Sequence, residues 1–224
     1  MSAAATTRAP SLAHRIIPSH FPPIGLFDTV TAAADLQAVM DLAGWTNDRL
    51  VASRISRLPE ADWVYGRPNS SIIMAAFLHV APGGMRFNGP ELGAWYAAAS
   101  LTTAVTEVAH HLRREAVARG LPGMTRRYRQ YVSGFEGAYV DLRGTRGQLP
   151  DVYDLASYTA GQALGEGIRA SGSDGILFDS VRHAGGTNVV AYRPRKVVNV
   201  TQVDHYEIEV KAAYSRIDAR RLVT

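Results

Sequence analysis

Cysteine is absent from the 224 residues. That excludes a disulfide framework, a thiolate zinc site and a cysteine nucleophile, and it fits a reducing cytoplasm, the expected location. No apolar run approaches the roughly 20 residues of a membrane-spanning helix, so no membrane partner is expected. Histidine is sparse, at positions 14, 20, 79, 110, 111, 183 and 205, and no HExxH occurs. Glu107-Val-Ala-His110 is an E-x-x-H, but the second copy that a di-iron bundle requires is missing. No metal is therefore expected. The phosphate-binding patterns GxGxxG and GxxxxGK[ST] are also missing, as is the GxSxG nucleophile elbow.

What remains is an ordinary globular composition, 46% hydrophobic and 20% charged. The length suits one sizeable domain with its own core. A net charge of +4 gives a mildly basic surface, suited to nucleic acid, phosphate-bearing small molecules or an acidic partner. The opening stretch, residues 1–27, lacks acidic residues, as a transit peptide does. It has no apolar h-region, and Pro10, Pro18, Pro22 and Pro23 break any amphipathic helix. It reads as an extended arm that packs Ile16, Ile17, Phe21 and Phe27 on the body.

Asp28 is a plausible N-cap for a first helix running to about Ala43. The apolar run SIIMAAFLHV, residues 71–80, fits a buried strand or a short buried helix equally. AWYAAA, residues 94–99, reads as a strand, with Tyr96 and Ala98 on one face. Ser100 then caps a helix over 101–118, striped by Leu101, Ala104, Val105, Val108, Leu112 and Ala116. Further on come a short strand at 138–144, a helix at 157–172 and strands at 175–182 and 188–194. Alternation of Tyr206, Ile208 and Val210 marks a half-buried strand near the end. Strands and helices mix without a regular βαβ rhythm, which points to an α/β or α+β single domain over residues 1–224.

Four constellations could carry chemistry. Arg86, Tyr96 and Glu107 follow one another through a turn, a strand and a helix, which can deliver them to one cleft. Glu107 lies off the apolar stripe, and by spacing alone it is a solvated carboxylate paired with His111 or Arg114. Ser180 shares a strand face with Ile176 and Phe178, as a hydrogen-bonded filler or as a site residue. The E-x-x-H is the third and is set aside. The fourth, TRRYRQY at 125–131, could grip a nucleic-acid backbone through Arg126, Arg127 and Arg129, or form a solvated basic face. With no nucleic-acid fold signature beside it, the solvated face is the expectation, and direct nucleic-acid binding is not.

Taken in order, GGMRFNG, GAWYAAAS, TAVTEVAHHLRRE, GILFDSVRHAGG and VVAYRPR resemble the RES-domain family, the toxins of bacterial RES–Xre toxin–antitoxin pairs. The likeness spans about residues 15–195, with Met85 and Asp179 departing from the common pattern. The resemblance implies a mixed α/β fold like that of diphtheria-toxin-type ADP-ribosyltransferases, a central mixed or antiparallel sheet flanked by helices. It implies an Xre-family antitoxin as partner and NAD+ as substrate, consumed by cleavage of the nicotinamide–ribose bond. Water, phosphate or a protein target serves as acceptor, so the glycohydrolase or phosphorylase reading stands beside a mono-ADP-ribosyltransferase. A non-enzymatic nucleic-acid module is the lesser alternative.

On this resemblance Arg86 suits the diphosphate, Tyr96 stacks on nicotinamide, and Glu107 stabilises charge developing on the ribose. Ser180 bonds the ribose or holds Arg86. Arg67 and Asn88 are further candidates for contact with NAD+.

Overall fold

The computed structural model describes residues 5–21, 25, 27–32 and 53–223. Nine strands form one mixed sheet: β1 (Thr6–Thr7), β2 (Ala13–Pro18), β3 (Trp95–Ala98), β4 (Gly123–Phe135), β5 (Tyr139–Asp141), β6 (Gly175–Asp179), β7 (Thr187–Ala191), β8 (Val197–Lys211) and β9 (Ile217–Leu222). Their spatial order is β1-β5-β6-β7-β3-β2-β4-β8-β9. Only β5 and β6 pair in parallel; the remaining neighbours are antiparallel. Three helices with fully described bounds pack on this sheet: α1 (Ser70–Leu78), α2 (Leu101–Ala118) and α3 (Thr159–Ala170). The mixed α/β class expected from the sequence is the class observed.

The sheet has apolar side chains on both faces. Trp95, Ala97, Tyr131, Tyr139, Leu177, Val189 and Ala191 point to one side, where α1 supplies Ile73, Met74, Phe77 and Leu78. The other side carries two separate clusters. One joins Phe87, Val152 and Tyr153 to Ile176, Phe178, Val190 and Tyr192, with Leu164 and Ile168 of α3 packed against it. The other joins Ala104, Ala109 and Leu112 of α2 to Ile16, Tyr128, Ile208 and Val210. A furrow is left where these two clusters meet, between α2 and α3.

Three expectations change. The opening segment is no arm over the body: β2 lies in the interior of the sheet, bonded to β3 on one side and β4 on the other. Ile16 and Phe27 are buried as expected, whereas Phe21 is 56% exposed. The basic stretch at 125–131 is a solvated face only in its first half, where Thr125 and Arg127 are exposed. It belongs to a 13-residue strand flanked by β2 and β8, so Tyr128, Arg129 and Tyr131 are buried. Arg126 pairs with Glu115 and Arg127 with Glu207. Glu115 and Glu207 offset part of that charge, each shared with a second arginine, Arg119 and Arg220.

Asp28 does act as a cap, but of another helix. Its Oδ1 accepts from the Ser71 N–H and hydroxyl, both at 2.8 Å, and its Oδ2 from the Asn69 N–H at 3.0 Å. It thereby satisfies the start of α1, which answers the ambiguity of the 71–80 run in favour of a buried helix. Residues 28–32 are turn and coil, and the rest of the helix expected over 28–43 lies outside the described residues.

Candidate active site

The furrow between α2 and α3 is a cleft of about 220 Å³. Its floor is a rung of the sheet. Phe178 of β6 pairs with Asn188 of β7, Asn188 with Ala98 of β3, and Ala98 with His14 of β2. Ala98 is the smallest side chain of the four, and the floor is lowest where it stands. α2 forms one wall with Ala104, Glu107, Val108 and His111, while Arg86, Tyr158 and Arg182 close the other.

Arg86 rides on a tight turn. Met85 and Asn88 bond each other's backbones at 2.9 and 3.4 Å. Gly84 enters that turn at φ +71°, where an added Cβ would strike the Asn88 carbonyl. The turn rests on α3 through two more glycines. A Cβ at Gly161 would stand 2.5 Å from the Arg86 carbonyl, and one at Gly165 would stand 2.7 Å from both the Phe87 carbonyl carbon and the Tyr192 hydroxyl. The helix therefore approaches the Arg86 backbone as closely as only glycine allows.

The guanidinium itself is nearly enclosed. Arg86 is 6% exposed. Its Nη1 donates to the Val152 and Asp154 carbonyls at 2.8 and 2.9 Å, and its Cζ stands 4.8 Å from the Tyr158 ring centre. Nη2 is buried without a partner among the described residues. Burial depresses the pKa of Arg86, and Arg182 adds to that, while Tyr158, Glu107 and Tyr96 oppose it.

Glu107 projects from α2 across the floor. Its Oε1 accepts from the Ser180 hydroxyl at 2.7 Å and from Asn188 Nδ2 at 2.8 Å. Ser180 is fixed in turn, since its oxygen accepts the N–H groups of Arg182 and His183 at 3.1 and 2.9 Å. Ser180 thus holds Glu107, not Arg86. The start of α2 is tied to the same loop by Thr103 and His183, whose Oγ1 and Nδ1 stand 2.9 Å apart. Ser100 caps the helix as expected, its oxygen accepting the Thr103 N–H.

Tyr96 lines the cleft but keeps its hydroxyl occupied. It donates to Asn88 Oδ1 at 2.8 Å and accepts the Phe87 N–H at 3.0 Å, and burial pushes its pKa up. The tyrosine braces the Arg86 turn while exposing ring surface to the cleft. Asn88 is wholly buried, and its amide nitrogen bonds the Gly89 and Leu92 carbonyls. It is a turn strut and does not line the cleft. Arg67 is elsewhere, donating to the Val197 carbonyl on the α1 side of the sheet.

Arg86, Tyr96 and Glu107 thus line one cleft, Ser180 and Asn88 stand behind it bonded to Glu107 and Tyr96, and Arg67 lies elsewhere. Sequence reading overlooked Asn188, His14, Tyr158 and Arg182. Asn188 had a visible signal, a polar residue opening the apolar run NVVAY. Its partner Glu107 is 81 residues away, a pairing that only the strand register reveals. Arg15 was overlooked as well. It stacks over Trp95 at 4.7 Å and donates to the Tyr96 carbonyl at 2.8 Å, and burial lowers its pKa to about 10.

Among the described residues no group of three or more histidine and acidic side chains could hold a metal, and no helix is long and apolar enough to cross a membrane. A solved structure similar to this chain is that of the M. tuberculosis MbcT–MbcA toxin–antitoxin complex. The match has 16% identity and a TM-score of 0.47, and it covers 88% of this chain and 86% of that one. No curated protein gives a significant match. The family model described as "RES domain" matches residues 54–211, well over half of the sequence. The chain belongs to the RES-domain family.

Proposed function

We propose that this protein is the toxin of a toxin–antitoxin pair and cleaves the nicotinamide–ribose bond of NAD+. The observation that carries the reading is the pairing, in one cleft, of a buried arginine and a fixed carboxylate. Among the described residues Arg86 Nη2 has no partner, and Glu107 is held through Oε1 alone. Its other oxygen, Oε2, is left for a ligand.

NAD+ needs a cation for its diphosphate and a negative group beside the ribose carbon that becomes electron-poor. Arg86 supplies the first. Two carbonyls lock its Nη1, so the guanidinium is fixed at the cleft wall without a search among rotamers, with Nη2 still lacking an acceptor among the described residues. Glu107 supplies the second. As the C–N bond breaks, its electron pair leaves with nicotinamide and positive charge spreads over the ribose. A carboxylate already oriented by Ser180 and Asn188 stabilises that charge without reorganising. The acceptor oxygen of water or phosphate then bonds the same carbon and releases its proton to solvent.

The test is direct. Purified protein freed of antitoxin is incubated with NAD+, and nicotinamide is followed by chromatography. Nicotinamide should accumulate with wild type, and Glu107→Gln should lose about 10³-fold or more, the scale of a lost transition-state charge partner. Full activity in a folded Glu107→Gln variant refutes the reading. Radiolabel appearing on a cellular protein, with free NAD+ stable, would favour the mono-ADP-ribosyltransferase alternative. A neutralising partner of the Xre type is part of the same proposal, and co-purification from a two-gene operon checks it.

A further inference from the structure

His14 lies well before the family match at residues 54–211, yet it stands on the cleft floor. β2 delivers it in register with Ala98, on the face that carries Tyr96, Ala98 and Asn188. Three strand spacings separate it from Phe178, about 14 Å at 4.7–4.9 Å each. His14 is therefore at the opposite end of the floor from Phe178, near which Arg86 and Tyr158 lie.

The ring is oriented from behind. Gln130, 4% exposed in β4, has its amide nitrogen 2.9 Å from His14 Nδ1. That nitrogen can only donate, so Nδ1 accepts and the imidazole proton sits on Nε2. Nε2 has no hydrogen-bond partner among the described residues, and it is not sealed in. Burial also lowers the pKa of His14, which keeps the ring neutral. The same cleft offers apolar surface from Ile16, Ala98, Ala104 and Val108, with Glu107, His111 and Asn188 as its polar groups on α2 and the floor. Apolar surface beside one neutral, directed N–H suits a flat aromatic ring bearing a carbonyl better than it suits an anion.

We propose that His14 binds substrate in this cleft, its Nε2–H donating to the carboxamide oxygen of the nicotinamide ring. The assignment rests on the NAD+ reading above and adds the group that recognises the leaving base. It makes a segment outside the family match part of the binding surface.

The test uses the whole protein and two soluble inhibitors of NAD+ cleavage, nicotinamide and 3-methylpyridine, which lacks the carboxamide. His14→Ala should weaken inhibition by nicotinamide about tenfold, the scale of one lost hydrogen bond, and leave 3-methylpyridine within about twofold. KM for NAD+ should rise with it. His14→Gln returns an N–H near the position of Nε2 and should restore the preference. His14→Met, of similar length without a donor, gives the same reading if the alanine variant does not fold. A preference for nicotinamide that survives in the donorless variants overturns the His14 assignment alone. A wild-type protein that leaves NAD+ intact overturns the functional reading and this one with it.

Discussion

Replacing Ser180 with alanine removes one hydroxyl and, with it, one of the two donors that fix Glu107. The lost bond is short, at 2.7 Å, and ends on a carboxylate. Hydrogen bonds to charged groups contribute about 1.5–3 kcal/mol. Asn188 still holds the same oxygen at 2.8 Å, so the carboxylate becomes less fixed without being released. If the whole loss is felt in the transition state, kcat/KM for NAD+ falls about 10- to 100-fold. Stability should change less. The Arg182 and His183 N–H groups lose their acceptor, but both residues are only half-buried and water can replace it, at about 1 kcal/mol. Steady-state kinetics with nicotinamide detection, beside chemical denaturation, separates the two effects. Asn188→Ala should behave alike, and the double variant should lose more than the sum, because no donor then remains. A Ser180→Ala enzyme with wild-type kcat/KM would refute the idea that Ser180 works through Glu107.

Gly165→Ala should push α3 off the Phe87 backbone, lowering the melting temperature and raising KM for NAD+ together, since the Arg86 turn rests on that contact. Asp28→Ala should cost about 2 kcal/mol by denaturant titration, through loss of the remote cap on α1, with little change in kcat. His110 is held to about 4, chiefly by burial and then by Arg182, His111, Arg114 and Arg113. Its folded pKa lies below the unfolded value of 6.5, so acid protonates the unfolded chain first. The His110 contribution is full above about pH 6.5 and is lost as pH falls toward 4; His110→Gln should flatten the melting temperature across that window.

The parts legible in the sequence were those whose cause is local. The stripe of 101–118 and its Ser100 cap needed no knowledge of neighbours, and the helix begins and ends where they place it. The order Arg86, Tyr96, Glu107, Ser180 was legible through resemblance, though not the bond from Ser180 to Glu107. The misread parts depend on distant partners. The second half of TRRYRQY is buried because β2 and β8, from opposite ends of the chain, flank it, and its carboxylate partners Glu115 and Glu207 come from a helix and a strand on either side of it. Residues 13–18 read as an extended arm packed on the body, and not as an interior strand, because both strands that flank them are supplied about 80 or more residues later. Asp28 signalled a cap correctly, but the helix it serves starts some forty residues away.

The place of β2 also bears on how the molecule is made. It is the interior strand between β3 and β4, yet it leaves the ribosome before either. Until residues 95–98 and 123–135 emerge, Ile16 and Ile17 have no neighbours in the sheet. The carboxylate clamp waits longer still, because Ser180 and Asn188 are synthesised after all of these. Contacts of such long sequence separation form slowly. The Arg86 turn waits too, since Val152, Asp154 and α3, which hold it, are made only shortly before Ser180, and the cleft is therefore completed late in synthesis.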